Sequence, residues 1–296
     1  MHPIIVINTS SGSGEFAERS KQEEILALFR HHHSGAELRA VGPESFQQTI
    51  QEALAGPYDT IIVGGGDGSL TSTAQLVAEA DKTLGVIPLG TFNLEARDLG
   101  VSLDPMEAAA QLATAGRERI DYLMVNDHIC LCALILGFYP ALAEMREEYH
   151  GKAWWQKSLR TFYETSVLAT ETPALHLQLQ TPQGLIERES RMTAISPGPY
   201  AEEFGLIPKR DQLSSGLIHA YVSSHLSRKE LLAASLHFIS GQLSTTENLE
   251  MVTATEMTIA TPGSDELPLM IDGEILTLRT PLDIQLRPQA LSVLRP

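Results

Sequence analysis

The chain has 296 residues, 43% of them hydrophobic, and a formal net charge of -16. This composition is that of a globular protein of one large or two ordinary domains and excludes a disordered or fibrous chain. The acidic balance argues against a nucleic-acid-binding protein, which needs basic residues to neutralise phosphates, and against adhesion to anionic lipid through net charge. Any contact with a membrane is therefore expected to be local and partly apolar.

Two further features favour a cytoplasmic protein that does not span a membrane. The first residues lack the basic region and the small-residue cleavage site of a signal peptide. The longest uncharged apolar run, 129–143, is shorter than the ~20 residues that cross a bilayer. Cys130 and Cys132 are too few and too close for a disulfide framework, so we expect reduced, buried thiols.

The first hundred residues alternate between apolar runs and helical patterns. The predicted strands are 4–8, 36–41, 60–63 and 84–89. The predicted helices are one that buries Ile25, Leu26 and Phe29, followed by 43–55, 70–80 and 92–99. Continuous apolar strands that alternate with helices predict a parallel sheet covered by helices on both faces.

The pattern changes near residues 122–126. Short predicted strands follow, separated by Pro and Gly, at 175–180, 185–188, 192–195, 217–222, 255–260, 267–271, 275–278 and 282–286, with helical patterns at 139–168 and 227–239. Short strands with turn signals predict an antiparallel β-sandwich. We therefore expect an N-terminal α/β lobe over 1–124 and a C-terminal β-sandwich lobe over 125–284. The tail, 285–296, is expected to return to the first lobe.

A glycine-rich loop follows the third predicted strand, where residues 63–69 are Val-Gly-Gly-Gly-Asp-Gly-Ser. Glycines let the backbone approach a phosphate closely, and the N-terminus of the following helix offers amides to the anion. Asp67 would repel bare phosphate, so it suits a site in which magnesium lies between the two. The loop is neither a Walker A loop nor Gly-x-Gly-x-x-Gly. A tight turn with a solvated Asp67 stays the alternative.

A second motif, 88–93, follows the fourth predicted strand. Ligands gather at the carboxyl ends of parallel strands, so Thr91 and Asn93 are candidate ligands of phosphate or ribose. The alternative is that Thr91 caps the following helix.

A third motif places Asp272 and Glu274 on either side of a glycine. One carboxylate is a candidate general base for a hydroxyl, and the other is a candidate to orient it or to hold metal. The alternative is a simple hairpin turn, for which Asp-Gly is a preferred dipeptide.

In this order the three motifs resemble those of the diacylglycerol kinase catalytic-domain superfamily, which includes bacterial soluble lipid kinases, sphingosine kinases and ceramide kinases. The family pattern is Gly-Gly-Asp-Gly-Thr, then Gly-Thr-x-Asn, then a late Asp-Gly-Glu. Residues 8–12 are similar to its opening Asn-Pro-x-Ser-Gly, residues 120–126 to its Asp-x-x-x-x-Asn crossover, and residues 281–291 to the tail of a bacterial subgroup. The resemblance covers nearly the whole chain.

The resemblance implies a nucleotide lobe like those of phosphofructokinases and NAD kinases, a β-sandwich lobe for the lipid, and the use of ATP and Mg2+. The implied nucleotide-binding residues are Asn8, Gly65, Gly66, Asp67, Gly68, Ser69, Gly90, Thr91 and Asn93. Asp67 and Asp121 match carboxylates that organise magnesium. Glu274, with Asp272 beside it, matches the base that acts on the lipid hydroxyl.

The chain departs from the family pattern at several positions. Ser69 replaces a threonine and keeps the hydroxyl, whereas Leu94 and Glu95 stand where relatives carry Asp-Phe or His-Phe. The change at position 94 removes one carboxylate from the implied magnesium network. Residues 214–216, Ser-Ser-Gly, replace an Asp-Asp-Gly that binds structural magnesium in some relatives, so we predict no such metal here.

One predicted helix combines basic and aromatic residues, namely Lys152, Trp154, Trp155, Lys157 and Arg160. Tryptophan favours the headgroup region and basic side chains favour anionic lipid, so this helix is a candidate for docking on a membrane surface. An ordinary helix packed on the sandwich is the alternative. The expected partner is a lipid at a membrane surface, not a nucleic acid, and a homodimer stays open.

Three functions are compatible with these observations. The first is a kinase for a diacylglycerol-like, phosphatidylglycerol-like or sphingoid lipid, among which the sequence does not choose because the acceptor pocket lies in the divergent β lobe. The second is an NAD-kinase-like enzyme, which shares the glycine-Asp motif. The third, motivated by Leu94, is a nucleotide- or lipid-binding protein with weak catalysis.

Overall fold

The computed structural model describes residues 1–12, 14–91, 93–137, 175–201, 209–223, 249–261, 263 and 265–296. The chain divides into two compact units, residues 1–122 with 287–296, and residues 123–286. The predicted helices at 139–168 and 227–239, the first of which contains the basic and aromatic residues between 152 and 160, lie outside the described residues. No helix in the described part of the chain is both long and apolar enough to cross a membrane.

The first unit is a parallel sheet with helices. Its strands are β1 (Pro3–Asn8), β2 (Glu37–Val41), β3 (Thr60–Gly65), β4 (Thr83–Pro88) and the start of β5 (Gly116–Val125). Its helices are α1 (Arg19–His32), α2 (Pro43–Ala55), α3 (Asp67–Glu79), α4 (Leu94–Leu99) and α5 (Pro105–Thr114). The strand order is β2-β1-β3-β4, all parallel, and the end of the last strand of the chain, β16 (Leu282–Arg295), continues the sheet beside β4.

The central strands of this parallel sheet are buried on both faces. Every residue of β1, β3 and β4 is buried, as expected for strands covered on both faces. Helices close over them with apolar faces, such as Ile25 and Phe29 of α1. Helix α5 is not predicted by the sequence pattern, because its buried face consists largely of small alanines. Asp104 marks its start by accepting the N–H groups of Met106 and Glu107.

The second unit is an antiparallel sandwich. Its strands, apart from parts of β5 and β16, are β6 (His128–Cys130), β7 (Leu134–Gly137), β8 (Leu175–Thr181), β9 (Gly184–Ser190), β10 (Met192–Ser196), β11 (Ile218–Ser223), β12 (Leu249–Ala254), β13 (Glu256–Ala260), β14 (Glu266–Ile271) and β15 (Glu274–Arg279). One layer has the order β12-β11-β10-β7-β14-β15, and the other contains β16-β13-β8-β9. Every pairing between neighbouring strands of these two orders is antiparallel.

Alternate residues of both layers form one apolar core. Leu134 and Leu136 of β7 meet Leu177 and Leu179 of β8 within it, all essentially inaccessible to solvent. This inward and outward alternation is the period-two pattern of a two-layer sheet. The predicted combination of an α/β lobe and an antiparallel sandwich is confirmed, although β12 is not predicted and β16 runs nine residues beyond the predicted end at 286.

Candidate functional site

Three loops of the first unit lie at one edge of its sheet. The registers pair Ile7 with Gly64 and Gly65 with Pro88, so β1, β3 and β4 end side by side. The segments at and beyond these ends, 8–12, 66–69 and 89–91 with Asn93, are therefore neighbours at the carboxyl ends of the strands. Most of the residues predicted to bind a nucleotide belong to these loops.

Asp67 joins two of these loops. It is the first residue of α3, and its Oδ2 and Oδ1 accept the backbone N–H groups of Asn93 and Leu94 at 2.9 and 2.8 Å. Those N–H groups lie at the start of α4 and have no intrahelical partner. Burial raises the pKa of Asp67, while these N–H groups and the Arg97 guanidinium act in the opposite direction. Asp67, which follows β3, therefore caps α4, the helix that follows the loop after β4.

The two glycine loops also approach each other closely. A Cβ on Gly90 would lie 2.7 Å from Gly66 Cα and 2.9 Å from Asn93 Oδ1, so only glycine fits there. Asn93, at φ 51°, folds its amide back onto Gly90, accepting its N–H and donating to its carbonyl, each at 2.9 Å. Asn93 therefore shapes the loop. Thr91 is exposed and does not cap α4, which corrects the alternative role given to it above.

Asn8 ties the first loop to the start of α3. Its Nδ2 donates to Ser69 Oγ at 3.1 Å, and its Oδ1 accepts the N–H and hydroxyl of Ser10. The first intrahelical bond of α3 runs from Leu70 N–H to Gly66 O. The N–H groups that precede Leu70 have no carbonyl within the helix and favour an anion at this end. The structure thus brings Asn8, Gly65, Gly66, Asp67, Gly68, Ser69, Gly90, Thr91 and Asn93 to one edge.

Asp121, the other predicted metal carboxylate, lies elsewhere. It is fully buried, and its Oδ1 accepts the N–H of Gln289 at 2.7 Å. Arg119 donates to the carbonyl of Gln289 and to Asp81, which lies just beyond the C-terminal end of α3. Asp67 begins this 13-residue helix, whose length is about 20 Å, whereas the contacts around Asp121 involve the residues just beyond its other end. The structure does not bring the two predicted metal carboxylates together.

The third motif lies in the second unit, at the turn between β14 and β15. Ile271 pairs with Glu274, and Asp272 and Gly273 form a two-residue turn with φ values of 48° and 93°. Positive φ at both central residues is the reason why Asp-Gly suits such hairpins. Glu274 is exposed at the start of β15.

Asp272, by contrast, is enclosed by backbone. It is 3% exposed; its Oδ1 accepts the N–H groups of Cys132 and Ala133 at 2.8 and 2.9 Å, and its Oδ2 accepts that of Leu131 at 2.7 Å. Burial raises the pKa of Asp272, against the opposing effect of these N–H groups and of Arg210. Of the two carboxylates of the motif only Glu274 is accessible, so the predicted role of base fits Glu274, and the predicted role of orienting the base is the one left to Asp272. Segment 131–133 was not predicted, since backbone N–H donors leave no sequence signature.

Among the described residues of the loops of the first unit, Asp67 is a candidate ligand of Mg2+. Asp67 offers two oxygens, each of which accepts one N–H group and keeps further lone pairs. Magnesium in phosphoryl-transfer sites takes one or two carboxylates and completes its shell with water and phosphates. Asp67 therefore fits as the protein ligand, direct or through water, of a magnesium ion that a nucleotide brings with it.

Two family models match the chain. Residues 2–125 match the diacylglycerol kinase catalytic domain, and residues 168–295 match the YegS C-terminal NAD kinase beta sandwich-like domain. A "Probable lipid kinase YegS-like" of Pseudomonas aeruginosa is 27% identical over 254 residues, covering 83% of this chain and 80% of the relative. A protein of the same name from Pseudomonas fluorescens is 34% identical over 139 residues, covering 44% of this chain and 46% of the relative.

A solved structure has the same fold. The crystal structure of a diacylglycerol kinase from Bacillus anthracis str. Sterne superposes with a TM-score of 0.74 at 18% identity, covering 99% of this chain and 96% of that one. The two family models do not overlap, and together they account for most of the chain. Residues 2–125 are therefore a diacylglycerol kinase catalytic domain, which is a domain of phosphotransferases, and residues 168–295 are a YegS C-terminal domain.

Proposed function

We propose that this chain is an ATP-dependent lipid kinase that transfers the γ-phosphoryl group of ATP to a lipid hydroxyl. The acceptor is diacylglycerol-like, phosphatidylglycerol-like or sphingoid. The names of the bacterial relatives, probable lipid kinases, support this acceptor class. We also propose that the enzyme works in the cytoplasm as a peripheral protein, because its acceptor resides in a membrane.

The interlocked glycine loops are the observation that carries the proposal. Phosphoryl transfer requires little covalent chemistry from a protein and depends on positioning and on neutralisation of charge. The N-terminus of α3 offers N–H groups that have no carbonyl acceptor within the helix, and the contact of Gly66 with Gly90 leaves no side chain between the loops. Gly65, Gly66, Gly68, Ser69, Gly90 and Thr91 would hold the phosphates. Asn8 and Asn93 would keep the loops in shape around them.

Asp67 would hold magnesium in this enzyme. The ion, when bound with ATP, neutralises charge on the phosphoryl group during transfer. Asp67 orients its carboxylate by accepting the N–H groups of Asn93 and Leu94. The same bonds fix the backbone of the second loop, so one side chain would serve both the ion and the loop. Asp121 has no part in this proposal, because it lies at the far end of α3.

Glu274 would be the general base. Its carboxylate is exposed at a rigid two-residue turn, and it accepts the proton of the lipid hydroxyl. The hydroxyl oxygen then bonds to the γ-phosphorus, and the bond from that phosphorus to the β–γ bridging oxygen breaks. The products are ADP, the phosphorylated lipid and a protonated Glu274, which returns its proton to solvent.

The test is incubation of the protein with labelled ATP, magnesium and a total bacterial lipid extract, followed by separation of the lipids. Wild-type protein is expected to label one lipid spot. Glu274→Gln should lose at least about 10²-fold of this activity, the lower range for removal of a general base. Glu256→Gln, which changes an exposed glutamate at the start of β13, is the matched control and should keep it.

Other results would redirect the proposal. Label transferred to NAD instead of lipid would establish the NAD-kinase-like alternative. Binding of ATP without transfer to any lipid would support a binding protein with weak catalysis. In that case the lost carboxylate would be the one that Leu94 replaces. Full activity of the Glu274→Gln variant would exclude Glu274 as the base.

A further inference from the structure

The turn that presents Glu274 is bonded to a backbone segment distant in sequence. Asp272 donates its own N–H to the carbonyl of Ala133 at 2.9 Å, and Ala133 donates its N–H to Asp272 Oδ1 at 2.9 Å. The strand ladder pairs Ile271 with Leu134, so this reciprocal pair adds one more step to the contact between β14 and β7. The 272–273 turn and residues 131–133 are therefore joined by backbone hydrogen bonds.

The carboxylate of Asp272 also bonds to this backbone segment. Its Oδ1 receives the N–H groups of Cys132 and Ala133 and lies 3.7 Å from the Cys130 thiol, and its Oδ2 receives the N–H of Leu131. Its 3% exposure leaves no approach for a substrate hydroxyl. A group that takes a proton from a substrate must come within hydrogen-bond reach of it. Asp272 does not meet that condition, whereas Glu274, two residues later, is exposed.

The position of Glu274 depends on the turn. Residues 272 and 273 have positive φ values, 48° and 93°, which an aspartate tolerates less readily than a glycine and which surrounding contacts help to maintain at Asp272. The bonds of its carboxylate to residues 131–133 provide those contacts. Loss of the bonds would release the turn and, with it, the first residue of β15.

We propose that Asp272 is a positioning residue, whose buried carboxylate holds residues 131–133 and the 272–273 turn together so that Glu274 keeps the place from which it acts. This role rests on the proposed function, in which Glu274 is the base. It separates the two carboxylates of the motif: one holds the backbone and the other meets the substrate.

A second contact supports the segment from its other side. The hydroxyl of Tyr200 donates to the carbonyl of Cys132 at 3.3 Å, and the ring of Tyr200 stacks on Tyr221 at a centroid distance of 5.3 Å. The N–H of Cys132 is bonded to Asp272 while its carbonyl is bonded to Tyr200. Both sides of this peptide segment are therefore held, as expected of a support that fixes a functional side chain.

The experiment measures the activity of four proteins: wild type, Asp272→Asn, Glu274→Gln and the double variant. Asp272→Asn should lower kcat by about 10²-fold, the effect of misplacing a catalytic group by about 1 Å, and leave the KM for ATP unchanged. In the Glu274→Gln background the same change should have no further effect, because a residue that acts through Glu274 has nothing left to position. An equal additional loss in the double variant would overturn the proposal, as would wild-type kcat in Asp272→Asn.

Hydrogen exchange provides a readout that does not depend on activity. The amides of residues 131–133 are expected to be strongly protected in the wild type and to exchange at least about tenfold faster in Asp272→Asn. Asp127→Asn, which removes an exposed carboxylate from the β5–β6 turn, is the control and should leave them unchanged. Unprotected amides in the wild type would overturn the proposal even if Asp272→Asn fails to fold. If the wild type labels no lipid but the amides respond as expected, the proposed function fails and the backbone role of Asp272 stands.

Discussion

Both units use a carboxylate to hold backbone N–H groups, but at different depths. In the first unit Asp67 accepts two N–H groups at a partly exposed loop edge. In the second unit Asp272 accepts three and donates its own N–H, at 3% exposure. The contact of Asp67 with residues 93 and 94, here called the shallow clamp, leaves the carboxylate within reach of a ligand. The contact of Asp272 with residues 131–133, here called the deep clamp, encloses the carboxylate and leaves the neighbouring Glu274 exposed instead.

This difference shows that the type and motif position of an aspartate do not determine its role. Asp67 and Asp272 both stand next to glycine in a loop between two elements. The number of backbone donors that the fold turns towards each one decides whether it can still bind metal or accept a proton. Predictions that separate stability from activity at the two clamps test this comparison.

The largest expected effect is on stability at the deep clamp. Asp272→Ala removes the acceptor of three buried N–H groups and should lower the free energy of unfolding by about 3–5 kcal/mol. Urea denaturation measures it, with Asp127→Ala, at an exposed turn, expected within about 0.5 kcal/mol of the wild type. A loss below about 1 kcal/mol at Asp272 would mean that water replaces the carboxylate and that the clamp is not buried in solution.

A smaller effect is expected at the shallow clamp. Asp67→Ala should cost about 1–2 kcal/mol of stability, since it leaves the two N–H groups of the α4 N-terminus without an acceptor near solvent. Asp104→Ala is the matched control, because Asp104 also accepts two N–H groups, at the exposed start of α5. Urea denaturation should give similar losses for both. ATP binding should fall only in Asp67→Ala, and an equal fall in both variants would remove Asp67 from the proposed phosphate site.

The smallest effect is expected at an aspartate outside both clamps. Burial acts to raise the pKa of Asp59, but bonds from the Thr60 hydroxyl, the His2 N–H and Arg117 outweigh it and lower this pKa to about 2. A folded-state pKa below the unfolded value of 3.8 stabilises the protein above about pH 4, and this stabilisation disappears as the pH falls towards 2. The side chain is 45% exposed, so the contribution at pH 7 is about 1 kcal/mol or less.

The measurement for Asp59 is the difference in unfolding free energy between wild type and Asp59→Asn from pH 7 to pH 3. The difference should shrink as the pH falls, because protonated Asp59 resembles the amide. A constant difference would contradict the assigned pKa. The pH dependence of stability should have the opposite sign for Asp67 and Asp272. Burial raises their pKa values and disfavours their ionised forms on folding, so their ionisation should lower the unfolding free energy as the pH rises.

Much of the fold could be predicted from local pattern. Helix α2 begins and ends where Pro43 and the apolar spacing predict, and strands β8 to β11 and β13 to β15 fall within a few residues of their predicted positions. Strands β5, β6 and β7, which also contribute to the sandwich core, were not among the predicted short strands. Helix α5 could not be predicted, because alanines such as Ala108 and Ala109 give little hydrophobic contrast even when they are fully buried. Strand β12 was not predicted either.

The sequence by itself determined the conformations that depend on neighbouring residues. The positive φ values of the Asp272-Gly273 turn follow from residue types that tolerate them, and the glycines at 66 and 90 supply the absence of side chains that the later contact between the two loops needs. Only the tertiary structure decided which carboxylates come together and which are enclosed. Asp121 accepts the N–H of Gln289, and Asp272 accepts the N–H groups of residues 131–133, so both outcomes depend on backbone groups more than a hundred positions away along the chain. Such groups carry no residue-specific signal, and only folding brings them into contact.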